Sequence, residues 1–225
     1  MNKVYSLEAK PYNFEFNTEK TALVIIDMQR DFCAPGGFGE KLGNDITLTR
    51  SIIPNIEKVL EASREKGMFV VHTREGHRPD LSDCPPSKLN RGSKQGAGIG
   101  DEGPMGRILV RGEYGHDIVD ELKPVEGEVI IDKPGKGAFY QTDLDVILKN
   151  KGITNLLVAG VTTHVCVQST LREANDRGFD CLLLEDCAAA FDSKDHEDSI
   201  RMINQQGGIF GWTAPSESLL TSLGE

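Results

Sequence analysis

Continuous apolar runs alternate along this chain with segments whose apolar positions recur every three or four residues. Thr21 to Asp27 (TALVIID) is a run of the first kind that ends in a carboxylate, the pattern of a strand covered on both faces. A Gly-rich loop, Ala34 to Gly43, leads to a helix that accommodates Pro54 in its first turn, carries Ile56, Val59 and Leu60 on one face and is closed by Gly67. Met68 to Thr73 reads as a second buried strand. The alternation resumes with the strand Glu128 to Lys133, a helix capped by Thr142 around Leu144, Ile147 and Leu148, and the strand Thr154 to Gly160. A helix from His164 to Arg177, a strand from Asp180 to Glu185 and a helix from Lys194 to Gln206 complete it. Parallel neighbours need crossovers of a dozen or more residues, so this order predicts an α/β fold: a doubly wound, Rossmann-like parallel sheet of six strands with helices on both faces.

Gly76 to Val125 breaks the alternation, being rich in Gly, Pro and charge, and is long enough to be functional or to cover a neighbour. No repeat or linker divides the 225 residues, so one domain is expected over 1–225, with residues 1–20 as an N-terminal arm. The arm's Tyr12, Phe14 and Phe16, together with the irregular stretch, suggest a surface for a homo-oligomer. The net charge of −10, with no compensating Lys/Arg cluster, argues against nucleic acid as a partner. No apolar run approaches a membrane span, and no targeting pattern is visible at the N-terminus. Five cysteines, an odd number in a chain too long to need staples, read as reduced thiols in a cytoplasmic protein.

In an open parallel sheet, ligands bind beyond the carboxyl ends of the strands, where the strand order reverses. Attention falls on Asp27, His72 to His77, Lys133, Thr162 to Cys166 and Asp186 to Ala188. Two spellings are misleading. Gly98 to Gly103 matches GxGxxG, but no strand precedes it and Pro104 follows it; Pro134-Gly135-Lys136-Gly137 lacks the arch and the hydroxyl of a phosphate loop. The five histidines are scattered without metal-ligand spacing, His72 reading as a core histidine and His77 as a site wall.

Among the cysteines, Cys181 lies in a leucine-rich strand as core packing, Cys187 follows that strand, and Cys33 and Cys84 lie in loops. Cys166 falls in the first turn of a helix, where unpaired N–H groups and the positive helix end should lower a thiol's pKa and could hold an oxyanion. Asp27 and Lys133 end apolar strands on the same sheet edge. They form either a structural ion pair or a catalytic pair in which Asp27 is the base for Cys166 and Lys133 holds Asp27 ionised.

Asp27 in Ile26-Asp27-Met28-Gln29, Lys133 in Asp132-Lys133-Pro134 and the segment Gly160-Val161-Thr162-Thr163-His164-Val165-Cys166-Val167 together resemble the isochorismatase-like cysteine hydrolases, from Thr21 onward. The resemblance implies a nucleophilic Cys166, a basic Asp27, an assisting Lys133, a cis Val161–Thr162 peptide, an oxyanion held by the N–H groups of Thr162 and Cys166, and a tetramer. It implies neither metal nor cofactor, since His72 to Leu81 carries no Asp-x-His in place of Thr73 to Pro79 as nicotinamidases do. Longer strings, His72 to Leu81, Gly96 to Asp101, Asp132 to Gly137 and Arg172 to Gly178, are similar to biuret- and triuret-hydrolysing members. By that likeness Phe32, Lys136, Tyr140 and Gln206 would meet a small ureido substrate, with Tyr140 a departure that reshapes the pocket. The expected activity is hydrolysis of biuret to allophanate and ammonia, or of triuret. The alternatives are a ureidoacrylate or N-carbamoylsarcosine amidohydrolase, whose substrate carboxylate Lys136 and Arg78 could meet, and a thiol sensor or small-molecule binding protein on the same fold.

Overall fold

The first apolar run, Thr21–Ile26 (β1), is buried at every position in the computed structural model, which describes residues 3–93 and 96–224. Five further strands join it: Phe69–Glu75 (β2), Val129–Lys133 (β3), Asn155–Val161 (β4), Asp180–Ala189 (β5) and Trp212–Ala214 (β6). They pair in the order β3-β2-β1-β4-β5-β6, every pair parallel. The six-stranded, doubly wound sheet expected from the alternation is therefore present. The order reverses between β1 and β4, which places their carboxyl ends, Asp27 and the segment after Val161, beside the crevice of the switch point.

Side chains of β1 alternate between the two faces, as a strand's period of two requires. Leu23 and Ile25 pack with Ile56, Val59 and Leu60 of the helix Ile53–Glu65 (α1), while Ala22, Val24 and Ile26 face the opposite core. That second core is closed by Leu144–Asn150 (α2), Gln168–Asp176 (α3) and Ser193–Gly208 (α4), and the first by Ser216–Leu223 (α5).

Two strands run past their apolar stretch, because the polar residues that follow have partners across the sheet. β2 continues through Arg74 and Glu75, in register with Asp132 and Lys133 of β3, and Arg74 donates to Asp132 at 2.7 Å. β5 continues through Glu185 and Asp186, whose carboxylates accept from Thr213 Oγ1 at 2.6 Å and from Ser216 N and Oγ at 2.7 Å. The three-residue β6 is too short to show a period. Thr142, expected to cap α2, stands one residue early: Asp143 is the N-cap, and Thr142 Oγ1 reaches Leu144 N at 3.4 Å.

The irregular stretch is organised rather than loose. It holds the helix Pro86–Ser93 and a hairpin of Glu102–Gly103 with Gly106–Arg107, and it buries Ala97, Ile108 and Leu109 against Phe32, Phe38 and Ile99. The GxGxxG spelling runs into that hairpin. The N-terminal arm is corrected too: Phe14 and Phe16 are buried in the chain's own core, Phe14 edge-on to Trp212 at 5.2 Å, which leaves only Tyr12 of that trio exposed.

At the switch point Gly160 has φ +112 and a Cβ there would overlap the backbone of Ile26. The two central strands approach this closely only because the residue is glycine. Gly160→Ala is expected to cost about 2 kcal/mol or more and to lower the melting temperature by roughly 4 °C or more, read by thermal denaturation; an unchanged melt would contradict the close approach.

Candidate active site

Asp27 leaves β1 with φ 51, a left-handed conformation that an aspartate holds only where its surroundings impose it. Its N–H donates to the Thr73 carbonyl at 3.1 Å, and its Oδ1 accepts from Thr73 Oγ1 at 2.7 Å. Lys133 ends β3 two strands away and brings Nζ to 2.8 Å from Asp27 Oδ2. Lys133 also donates to the carbonyls of Gly135 and Lys136 at 3.0 and 2.9 Å. The Pro134 to Gly137 turn, whose spelling suggests a phosphate loop, thus turns carbonyls onto a cation.

After β4 the chain does not enter a regular α-helix. A cis Val161–Thr162 peptide, the one the resemblance implies, is followed by a single π-turn over Thr163–Val167, in which the Thr162 carbonyl accepts from the N–H groups of Val165 and Val167 and passes over Cys166. Such turns cluster at functional sites. The turn is tied to the lysine loop through Thr170, whose hydroxyl donates to the Cys166 carbonyl at 2.7 Å and accepts from Ala138 N at 3.0 Å.

The Cys166 thiol, 4% exposed, donates to Glu75 Oε2 at 3.5 Å. Glu75 was absent from the residues singled out in the sequence, though it lies within the stretch after the second strand that the fold made important. Its Oε1 is 2.7 Å from Lys136 Nζ and 3.7 Å from Lys88 Nζ, and its Oε2 is 3.9 Å from Lys133 Nζ. Lys88 was missed as well, because nothing in the local pattern ties the helix Pro86–Ser93 to the sheet edge; it donates to the Pro134 carbonyl at 2.6 Å and lies 3.3 Å from His77 Nε2.

Three ammonium groups against two carboxylates leave one positive charge while the thiol is neutral. Burial works against the charge on Glu75, but Lys133, Lys136 and Lys88 outweigh it and hold its pKa below the ordinary 4.5. Burial likewise opposes the charge on Lys133, yet Asp27, Cys166 and Glu75 hold its pKa above the ordinary 10.5. The thiol goes the other way. Full burial, with Asp27 and Glu75 beside it, pushes the Cys166 pKa up against the pull of Lys133 and Lys136. The lowered thiol pKa expected from a helix start is therefore corrected: desolvation and two carboxylates outweigh the turn's dipole, and Cys166 rests as a thiol hydrogen-bonded to a carboxylate.

A cavity of about 310 Å³ has Lys136 and Lys88 of this cluster, with Arg91, on its charged side and Phe32, Phe38 and Leu109 on its apolar side. Phe32 and Lys136 thus stand in one cavity. Tyr140 does not; it packs on Gly135 and lines a neighbouring cleft with Pro134, Ser87 and Pro85. Gln206 is corrected further. Helix α4 carries the chain from the carboxyl edge of β5 back to the amino edge where β6 begins, and Gln206 sits exposed at its kinked end with φ 54, at the opposite edge of the sheet from Cys166. Arg78 faces a separate depression with Asp80 and Arg111. His72 is a core histidine bonded to Glu128 at 3.0 Å, and His77 lies behind the site between Asp83 and Lys88. The five cysteines are free and buried.

Ligand atoms of Asp27, Glu75 and Cys166 lie within 4.8 Å of one another, a spacing that a metal could use. The donor set does not fit one: Lys133 reaches both carboxylates, and Lys136 and Lys88 add two more ammonium groups where a divalent cation would have to enter.

The isochorismatase domain model matches residues 21–214, from the first residue of β1 to the last of β6. The chain belongs to the isochorismatase family of hydrolases. It is 29% identical to an isochorismatase family protein of Desulfovibrio vulgaris, with TM-score 0.76 over 92% of this chain and 99% of that one. A cysteine hydrolase of Pseudomonas syringae is 25% identical, with TM-score 0.79 over 93% and 94%. The N-carbamoylsarcosine amidase of Thermoplasma acidophilum shares the fold at 24% identity, TM-score 0.67, over 88% and 97%.

The linked charges set the pH dependence of stability. Glu75, with a lowered pKa, stabilises the fold above pH 4.5 and loses that contribution as pH falls through its folded value; Lys133, with a raised one, stabilises below pH 10.5 and loses its contribution as pH rises through its folded value. Lys133→Ala leaves the buried Asp27 carboxylate without its ammonium, while Glu75 keeps Lys136 and Lys88, and is expected to cost about 3–5 kcal/mol at pH 7 in urea denaturation; a loss under about 1 kcal/mol would contradict the pairing.

Proposed function

We propose that this protein hydrolyses the C–N bond of a small carbamoyl amide through a thioester on Cys166. The observation that carries the reading is the buried thiol in its π-turn, hydrogen-bonded to one carboxylate and beside the Lys133–Asp27 pair. A thiol at rest with an ionised acceptor in contact needs no preformed thiolate; it loses its proton as it attacks. In this reading the sulfur attacks the carbonyl carbon, and the N–H groups of Cys166 and Thr162 hold the oxyanion. The departing amine takes a proton, leaving a thioester. Asp27, whose Oδ2 faces the Lys133 ammonium at 2.8 Å, draws the proton from the water that cleaves it. Lys133 Nζ stands 2.8 Å from Asp27 Oδ2 and 3.9 Å from Glu75 Oε2.

Biuret, giving allophanate and ammonia, or triuret is the substrate favoured by the long similar strings from His72 to Leu81 and from Asp132 to Gly137. Lys136, on the cavity wall and in contact with Glu75, would meet a substrate carbonyl, and Phe32 would cover the planar ureido group. A second reading is favoured by the charged wall: Lys88 and Arg91 beside Lys136 suit a carbamoyl substrate that also bears a carboxylate, such as ureidoacrylate or N-carbamoylsarcosine.

Ammonia release at neutral pH from biuret, triuret, ureidoacrylate, N-carbamoylsarcosine and nicotinamide separates these readings. The expected result is turnover of a ureido compound, none of nicotinamide, and a loss of at least about 10³-fold on Cys166→Ala. Product release by Cys166→Ala at the wild-type rate would contradict the thioester.

A further inference from the structure

We propose that Lys88 anchors the substrate, its ammonium aimed by the buried Asp83–His77 pair so that one N–H is left for an acceptor oxygen of the ligand in the Phe32–Lys136 cavity. The assignment deepens the carbamoyl amide reading and rests on it for the identity of the substrate, though not for its test. A lysine ammonium has three N–H donors and no acceptor. One goes to the Pro134 carbonyl at 2.6 Å and a second to His77 Nε2 at 3.3 Å. Glu75 Oε1 stands 3.7 Å away, too far to take the third as a hydrogen bond. Among the described residues no other acceptor meets that N–H, and Lys88 lines the cavity.

The histidine holds the ammonium without neutralising it. An ionised Asp83 only accepts and Lys88 only donates, so the ring between them has one tautomer: Nδ1 carries the hydrogen, given to Asp83 Oδ1 at 3.2 Å, and Nε2 presents its lone pair to Lys88. Burial first and Lys88 second keep the His77 pKa below the ordinary 6.5, so the ring is neutral at pH 7. Burial opposes the charge on Asp83, but the Arg78 N–H at 3.0 Å, His77 and Arg111 outweigh it and hold its pKa below the ordinary 3.8. The backbone is pinned as well, His77 N donating to the Leu109 carbonyl at 2.8 Å and the His77 carbonyl accepting from Arg111 N at 2.9 Å. The irregular stretch thus supplies the lysine, the aspartate and the backbone partners that seat the ring.

What remains unpaired sets the chemistry of the ligand. An ammonium N–H takes an oxygen acceptor, most strongly one that is charged. Cys166 meets Oε2 of Glu75 and Lys88 faces Oε1, so that carboxylate stands between the nucleophile and the anchor. Lys88 therefore receives an oxygen remote from the carbonyl that sulfur attacks. A carboxylate and a second carbamoyl carbonyl are two sources of this one contact. Lys136, on the same wall, is already engaged by Glu75 at 2.7 Å.

Titration calorimetry at pH 7 on Cys166→Ala, which has no nucleophile, reads the anchor without turnover. The probes are malonamide and malonamate, one skeleton ending in an amide or in a carboxylate. Adding Lys88→Met is expected to weaken binding at least about tenfold, the loss of one hydrogen bond from a charged donor. A larger loss with malonamate assigns the contact to a carboxylate, and a larger loss with malonamide to a carbamoyl carbonyl; either supports the anchor. His77 is a positioning residue, and two variants separate aiming from packing. His77→Phe keeps the ring volume and removes the acceptor, whereas His77→Gln gives up the ring and keeps an oxygen for Lys88. Aiming predicts that His77→Phe binds about as weakly as Lys88→Met and that His77→Gln retains most of the affinity; packing predicts the reverse order. A change under about twofold on Lys88→Met, binding of neither probe to the Cys166→Ala protein, or His77→Phe binding as that protein does overturns the proposal. Should His77→Phe fail to fold, His77→Gln decides, and affinity as low as that of Lys88→Met overturns the aiming role. Binding that depends on Lys88 in a protein that hydrolyses none of the ureido panel removes the substrate reading and leaves the anchor in place. Turnover of the panel with a KM that Lys88→Met does not move does the reverse.

Discussion

A lysine ammonium with no exposed side-chain surface is the constraint around which this site is arranged. Taking such a charge out of water costs several kcal/mol, and the cost is recovered only with close opposite charge and satisfied donors. Asp27, Glu75 and two carbonyls of the following turn supply both to Lys133. They come from the carboxyl ends of β1, β2 and β3, so the sheet must form before the ion cluster can. The cluster in turn fixes Asp27 in a conformation it would not otherwise keep.

The same grouping sets the state of the nucleophile. A thiol dry enough to be shielded from solvent, with two carboxylates near it, stays protonated at rest, and what makes it reactive is the acceptor in contact with it. The π-turn and the Thr170 hydroxyl hold the sulfur in register with that acceptor, so that small displacements of either loop would separate donor from base. The proton that leaves the sulfur passes to a carboxylate of the same cluster, so the net charge is unchanged and the three ammonium groups face the new anion in place of that carboxylate.

Much of this was legible in the chain. β1 announces itself by an unbroken apolar run, and Asp27, Lys133 and Cys166 by their places at strand ends and a helix start; the structure brings all three to one cluster. Glu75 and Lys88 were not legible, for different reasons. Glu75 extends β2 because Lys133 stands opposite it, a cross-strand pairing that hydropathy along one strand does not display. Lys88 reaches the site from an irregular stretch whose packing on Phe32 and Phe38 is purely tertiary. Gln206 and Tyr140 were placed by likeness of short strings, which carry no information on which sheet edge a helix ends at or which side of Lys88 a ring falls on. The raised thiol pKa was missed because a helix terminus was weighed without the desolvation around it.

The covalent intermediate is the claim on which the remainder depends, and acid-quenched intact mass tests it most directly. Protein quenched during turnover of a carbamoyl substrate that releases ammonia is predicted to carry the mass of one acyl group, mapped to the Cys166 peptide and absent from Cys166→Ala. Full turnover with no adduct at any quench time, or an adduct on another of the five cysteines, would contradict the account.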